Sequence, residues 1–171
     1  MSGFAHYIRT ENQTIQLFGV KQKSLPLWFR NMIKTENLNI IGTGFLDNAG
    51  KVTLSTMEYG DFFINISAPE TAYLEMLFCI PGITSFSEAL EISENLTTLR
   101  SGILQKLLEN SNSIKVNRLA LYIAEYHQHD WFSKLDSKKI NLGQGKRVIQ
   151  KNGRLDTKYN ITVPLKREEF V

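Results

Sequence analysis

The sequence predicts a mixed α/β (α+β) fold: an N-terminal mixed β-sheet with a short helix, a helical second half, and a final strand that rejoins the sheet. Before residue 68, short apolar runs that favour strands surround one short helical pattern. From residue 68 to residue 136, apolar residues recur at spacings of three and four, the period of a helix. Residues 137–171 hold a basic, Gly-rich stretch and a last alternating run. We expect one domain with these three parts.

The first part begins with a strand, a short helix and a second strand. Residues 14–20 and 38–41 are apolar enough for strands, and residues 25–33 repeat apolar side chains at a spacing of four. Pro26 suits the start of that helix, because proline lacks an N–H that the first turn would leave unpaired. Residues 47–50 are Asp, Asn, Ala and Gly, which favour a turn.

A hairpin is predicted next, with strands at residues 51–57 and 62–67 and a turn near Gly60. Successive side chains of a strand point to opposite faces of a sheet. In the second strand, the residues that share one face are Phe62, Ile64 and Ile66. We expect this apolar row to pack on the core.

The second part is predicted to begin with a helix over residues 69–80. Ser67 is expected to cap this helix, and Glu70 is expected to reach back to Ser67. Apolar residues lie on nearly every side, so the helix should be buried almost all round. The Pro-Gly pair at residues 81–82 should end it.

Three more helices are predicted before residue 137. Ser85 and Glu88 have the spacing of a capping box, which begins a helix that reaches about residue 96. The other two helices are expected at residues 98–109 and 113–127, each with an apolar stripe. Such stripes indicate core packing rather than a ligand site.

The composition is that of an ordinary globular protein, with 42% hydrophobic and 22% charged residues. Cys79 is the single cysteine, and its apolar neighbours favour a small core residue over a nucleophile. The first residues lack the basic start and apolar stretch of a secretory signal. No apolar run approaches the roughly 18–20 residues of a membrane helix, so we expect a cytoplasmic protein without membrane contact.

Charge is unevenly distributed, although the net charge is only +3. Residues 58–109 contain eight acidic and two basic residues, a net charge of −6, and residues 138–158 contain seven basic and one acidic, a net charge of +6. This asymmetry indicates either an anionic partner or two surfaces that attract each other within the fold. The candidate functional residues, called the basic surface below, are Lys138, Lys139, Lys146, Arg147, Lys151, Arg154 and Lys158.

A Gly-rich loop lies within this surface. Gly143 and Gly145 precede Lys146 and Arg147, but the spacing is not that of a P-loop, and no helix pattern follows. Backbone N–H groups and these two cations can bind a phosphate or an acidic protein surface. A purely structural turn is the alternative.

Two histidines raise the question of a metal site. His127 and His129 are followed by Asp130, but a spacing of two suits a strand better than the helix end predicted here. No further cluster supplies more ligands, and His6 is remote in sequence. A polar helix end is the preferred interpretation, because a histidine there suits the helix dipole.

No catalytic constellation is predicted. The sequence has no G-x-S-x-G turn, and Ser87 and Ser101 have no histidine pattern beside them. Asp47, Asp61 and Glu75 do not have the spacing of nuclease carboxylates. We therefore expect neither an enzyme nor a cofactor or small-molecule substrate.

Several ordered motifs resemble one protein family. Each is short, but they occur in a consistent order over residues 3–164. They are residues 3–7 (GFAHY), 15–19 (IQLFG), 25–29 (LPLWF), 66–70 (ISAPE), 96–100 (LTTLR), 116–125 (VNRLALYIAE), 140–147 (INLGQGKR), 153–156 (GRLD) and 158–164 (KYNITVP). The chain resembles the C-terminal domain of the AbiEi antitoxins of type IV abortive-infection systems.

The resemblance implies an antitoxin that counteracts a nucleotidyltransferase-like toxin, without a stable complex of the two. Family members usually also carry an N-terminal winged helix-turn-helix that binds repeats upstream of their operon. No such motif is predicted in this chain, because the helix pair at residues 85–109 carries four glutamates that would repel DNA. The basic surface is the candidate for supporting DNA contacts made mainly by such a domain, or for contacting RNA or an acidic protein. The alternatives are an enzyme that acts on nucleic acid and a protein interaction module without nucleic-acid affinity.

Overall fold

The computed structural model describes residues 14–19, 25–35, 38–42, 44–46 and 54–164. The chain divides into two compact units, residues 1–45 and residues 46–171. The described residues contain five α-helices and short strands in small sheets, which confirms the predicted mixed α+β class. The predicted turn at residues 47–50 lies outside the described residues.

The first unit contains one strand–helix–strand motif. Strand β1 (Ile15–Phe18) pairs in parallel with β2 (Leu38–Ile41), and helix α1 (Leu27–Thr35) connects them. Parallel neighbours need a crossover of this kind, since a tight turn can join only antiparallel strands. The Arg30 N–H donates to the Pro26 carbonyl over 3.0 Å, which confirms that Pro26 lies at the helix start.

The second unit begins with the predicted hairpin. Strand β3 (Leu54–Tyr59) pairs antiparallel with β4 (Phe62–Ser67), and Gly60 takes a positive φ of 60° in the turn. The predicted apolar row of β4 is not in the core, because Phe62 is 56% exposed and Ile66 is 39% exposed. That expectation was wrong, because alternation of apolar residues along a strand shows only which side chains share a face of the sheet. It does not show whether another part of the protein covers that face. Among the described residues, β3 and β4 form a sheet of two strands only.

Four helices form the core of the second unit. They are α2 (Pro69–Phe78), α3 (Phe86–Glu94), α4 (Ser101–Glu109) and α5 (Ile114–Tyr126). Helix α5 buries eight of its thirteen residues, and the Tyr73 hydroxyl of α2 donates to the Ala120 carbonyl of α5 over 3.2 Å. The side chains with at most 1% exposure include Leu74, Leu77, Leu104, Leu107, Leu108, Leu119, Leu121 and Ile123. The predicted stripes are thus confirmed as core, except at Tyr126, which is 44% exposed.

The predicted helix caps have different outcomes. Ser85 accepts a hydrogen bond from the Glu88 N–H over 3.1 Å, as expected for the start of α3. The cap predicted at Ser67 is wrong, because α2 begins after Ala68 without any side-chain cap. Glu70 is buried and turns to Arg100 instead of Ser67. A buried carboxylate gains more from a guanidinium than from a single N–H.

The last part forms its own small sheet. Strand β7 (Ile161–Val163) lies between β5 (Arg147–Val148), to which it is parallel, and β6 (Arg154–Asp156), to which it is antiparallel. The final strand therefore pairs within the basic region instead of returning to the N-terminal strands. A short turn between β6 and β7 makes this pairing local, so it costs less chain entropy than a distant one. In the described part of the chain, no helix has the length and apolar character needed to cross a membrane.

Candidate functional site

The Gly-rich loop lies on helix α5. The Asn117 side-chain amide donates to the Asn141 carbonyl over 2.9 Å. The Arg118 guanidinium donates to the carbonyls of Leu142 and Gly145 over 2.6 and 2.7 Å. The loop backbone is thus bound to the helix beneath it, ahead of Lys146 and Arg147.

Both glycines of the loop adopt left-handed backbone angles. Gly143 has a φ of 58° and Gly145 a φ of 77°, which favour glycine. A Cβ atom at Gly143 would also lie only 3.1 Å from the side chain of Ile114. Gly143 therefore allows the loop to approach α5, and its N–H donates to the Asn141 side-chain oxygen over 2.9 Å.

Three residues of the basic surface have partners within the fold. Lys158 forms an ion pair with Glu125, which also accepts a hydrogen bond from the Tyr159 hydroxyl over 2.9 Å. The Arg154 guanidinium donates a hydrogen bond to the Tyr122 hydroxyl. Lys139 lies 3.5 Å from the Asp136 carboxylate, with both side chains exposed. Exposed pairs of this kind add little stability, so Lys139 remains accessible to a stronger partner.

The remaining four residues, called the open cations below, are Lys138, Lys146, Arg147 and Lys151. All four are exposed, and none forms an ion pair with a carboxylate of the described residues. The ion pairs of the basic surface go to Asp136 and Glu125, which both lie outside the acidic stretch of residues 58–109. In the part of the chain that the structure describes, the open cations are therefore not neutralised by that stretch.

More positive charge lies behind the loop. Burial lowers the pKa of Arg118, and the nearby charge of Arg147 lowers it further. Burial is also the main cause that lowers the pKa of Lys115, with Arg147 again contributing. The Lys115 ammonium donates to the Phe78 carbonyl over 2.6 Å and to the Ile80 carbonyl. Three cations thus converge near the start of β5.

The two histidines hold α5 to α3. His127 and His129 place their Nε2 atoms 2.9 and 2.8 Å from the carbonyls of Leu90 and Ser93. The His129 ring stacks on Trp131 with 5.0 Å between ring centroids. Both imidazole rings thus have hydrogen-bond partners within the fold. Within the described ranges, no three His, Cys, Asp or Glu residues are grouped so that they could hold a metal ion. His6 lies outside those ranges.

The two described carboxylates among those considered for catalysis lie in different environments. Asp61 is exposed in the hairpin turn, whereas Glu75 is buried in α2, and burial raises its pKa. Asp47 lies outside the described residues. Cys79 is 6% exposed, and burial raises the pKa of its thiol, which confirms the expected core position.

The sequence did not single out Asn117 and Arg118, which are central to the site. Both lie in the buried stretch of α5, at 0% and 2% exposure. A signal was present in the sequence, because Asn117 and Arg118 stand between apolar residues of a helix that was predicted to pack in the core. Polar side chains that are buried in this way require hydrogen-bond partners. The sequence gives no indication that these partners are carbonyls of a loop about 24 residues later.

A family model matches residues 12–164 of this chain, and its description is transcriptional regulator, AbiEi antitoxin, type IV toxin–antitoxin system. The match places the chain in the class of regulators that serve as antitoxins in type IV systems. Within that class, the chain belongs to the AbiEi antitoxin family, as its motifs predicted. Searches for similar curated proteins and similar solved structures found no match.

Proposed function

We propose that this chain counteracts a nucleotidyltransferase-like toxin and that its open cations contact nucleic-acid phosphates. In this role it supports transcriptional autoregulation together with a DNA-reading domain. The observation that carries the proposal is the set of exposed cations without carboxylate partners in the described part, held on a loop bound to α5. Such cations bind phosphates without reading the base sequence.

The charge pattern supports a polyanion as the partner. Lys146 and Arg147 are adjacent in sequence, and Lys115 and Arg118 lie behind them. Phosphate binding releases counterions, so affinity should fall steeply as salt rises. An acidic protein would show a weaker dependence, since fewer condensed ions are released.

The first test measures binding of the chain to a duplex from its own promoter, by fluorescence anisotropy over a range of salt concentrations. Changing Lys146→Ala and Arg147→Ala together should reduce the slope of log K against log salt by about 1.8, or roughly 0.9 per lost phosphate contact. The control changes Lys106→Ala and Lys134→Ala, which removes the same charge outside the basic surface. Equal losses in both variants would contradict a localised phosphate contact.

The second test measures rescue of growth. The chain is co-expressed with a nucleotidyltransferase-like toxin of a type IV system, and the same two double variants are compared at matched protein levels. Rescue by wild type and by the control, but not by the Lys146/Arg147 variant, would support antitoxicity through the loop. Rescue by all three would separate antitoxicity from the basic surface.

A protein interaction module is the second candidate, because the hairpin exposes apolar side chains. Phe62 and Ile66 are 56% and 39% exposed on one face of β4, and Phe63 is 71% exposed on the other. Exposed apolar patches of this kind often mark contacts with other proteins. A flat salt dependence in the first test, together with loss of rescue on Phe62→Ser and Phe63→Ser, would favour this candidate.

A further inference from the structure

Arg118 makes contacts that differ from those of the other cations in the second unit. Its side chain is 2% exposed, yet it has no carboxylate partner among the described residues. Its donors go to backbone carbonyls of residues far along the chain. We propose that Arg118 is the positioning residue of the basic surface, which fixes the loop so that Lys146 and Arg147 face a polyanion.

The hydrogen bonds of Arg118 join three points of the last segment. Nε donates to the Leu142 carbonyl over 2.6 Å, and Nη1 donates to the carbonyls of Gly145 and Asn160 over 2.7 and 3.0 Å. The Asn160 carbonyl also accepts the N–H of Arg147 over 2.8 Å. One guanidinium therefore binds both ends of the loop and the residue that precedes β7.

These contacts require the shape of arginine. A guanidinium offers several N–H donors in a fixed plane, so it can bind separated carbonyls at once. A lysine ammonium is a single point of charge at the end of a flexible chain and cannot span the same acceptors. The three carbonyl dipoles also stabilise the buried charge in the absence of a carboxylate partner.

Arg118 also acts against charge repulsion. The charge of Arg147 disfavours the charged forms of both Lys115 and Arg118, so Arg147 repels each of them. The bonds from Arg118 to the carbonyls of Leu142 and Gly145 hold the loop on α5 against this repulsion. A bound polyanion would relieve the repulsion, and the anchored loop would then need little rearrangement to bind it.

The inference rests on the proposed function for the identity of the partner as a polyanion. Whether Arg118 fixes the loop can be tested without any polyanion. Trypsin cleaves after Lys146 and Arg147, and mass spectrometry gives the rate at each bond. Arg118→Lys should raise these rates by about tenfold, because the loop loses hydrogen bonds to a charged group. Arg100→Lys is the matched control: it makes the same substitution, but Arg100 bonds to Glu70 and not to the loop, so the cleavage rates after Lys146 and Arg147 should stay near wild type.

A measurement on the wild-type chain covers the case in which Arg118→Lys fails to fold. The Arg118 Nε–H should give a resolved NMR signal that exchanges slowly with water, since it is buried and bonded to Leu142. Fast exchange of this signal, or unchanged cleavage in a folded Arg118→Lys variant, would overturn the inference. Faster cleavage together with weaker duplex binding would support the inference. Because Arg118→Lys keeps the positive charge, the weaker binding would then result from the changed position of the loop and not from a lost charge.

If the proposed phosphate contact is wrong, the experiments give a different result from the one expected if Arg118 does not fix the loop. If wild type does not bind the promoter duplex at low salt, the phosphate contact is wrong. Slow Nε–H exchange and faster cleavage of Arg118→Lys would then still show that Arg118 fixes the loop. The polyanion part of the inference would be overturned, and its positioning part would stand.

Discussion

At the scale of single residues, Glu70 connects the starts of two helices. Its side chain is 2% exposed in the first turn of α2. One carboxylate oxygen accepts from the backbone N–H and Nε of Arg100, both over 2.9 Å, and the other accepts from Nη2 over 2.8 Å. Since Arg100 is the residue that precedes α4, this pair sets how α2 and α4 begin relative to each other.

Changing Glu70→Gln should lower the free energy of unfolding by about 1–2 kcal/mol at pH 7, because an uncharged amide accepts these hydrogen bonds less strongly. Burial raises the pKa of Glu70, but the bonds and charge of Arg100 outweigh it, so the pKa lies below the ordinary value. The stabilisation is therefore present above the unfolded pKa and lost as pH falls through the folded one. Urea denaturation of both proteins at pH 7 and below pH 4 tests this, and a difference that persists unchanged in acid would contradict it.

His129 provides a second pH dependence, at a higher pH. Burial lowers its pKa, and the charge of His127 contributes, so the folded state favours the neutral ring. Stability from this preference is complete above the unfolded pKa of about 6.5 and is lost as pH falls below it, by at most about 1.4 kcal/mol per pH unit. In His129→Phe this part of the slope between pH 5 and pH 6.5 should disappear from chemical denaturation curves. A slope equal to that of wild type would show that His129 is not its source.

At the scale of elements, helix boundaries were more predictable than sheet pairing. Ser85 begins α3 as predicted because its cap depends on residues three positions apart. A final strand was predicted within residues 137–171, where β7 lies, but its partners β5 and β6 were not predicted. Pairing depends on loop lengths and on which face is covered, and neither is encoded in the local pattern.

The hairpin gives a direct test of what an exposed apolar side chain contributes to stability. Phe63 is 71% exposed on β4, whereas Leu107 is 1% exposed on α4. Phe63→Ser should change the free energy of unfolding by no more than about 0.5 kcal/mol, as expected for an exposed position. Leu107→Ala should cost about 2–5 kcal/mol, because it leaves a cavity in the core.

Thermal and urea denaturation of the two variants provide the comparison. Comparable losses would mean that Phe63 is packed in solution, for instance against a second chain. Concentration dependence of the midpoint would then distinguish association from packing within one chain.

At the scale of the whole molecule, the sequence was enough to propose a candidate site but not to predict the contacts within it. The net charge of +6 over residues 138–158 identified the basic surface from the sequence alone. The division into open and paired cations depends on Glu125, which pairs with Lys158 from 33 positions away. Contacts between residues so far apart along the chain depend on tertiary packing, which the local sequence pattern does not predict.

The two units are unequal, and this leads to a prediction about folding. All buried apolar side chains of the described residues except Phe45 lie between Ala68 and Val163, inside the second unit. A chain of residues 46–171 should therefore fold alone, because it retains the core that stabilises a domain of this size. Circular dichroism should show the four helices α2 to α5, and urea should unfold them in one cooperative transition.

The same shortened chain tests whether the site is self-contained. The residues that hold the loop are Asn117, Arg118 and Asn160, all in the second unit. Trypsin cleavage after Lys146 should therefore proceed at the rate of the full chain. Slow cleavage with intact helices would show that residues 46–171 suffice to build the loop. Rapid cleavage in a chain that keeps its helices would mean that residues 1–45 are needed to hold it, even though its anchors lie elsewhere.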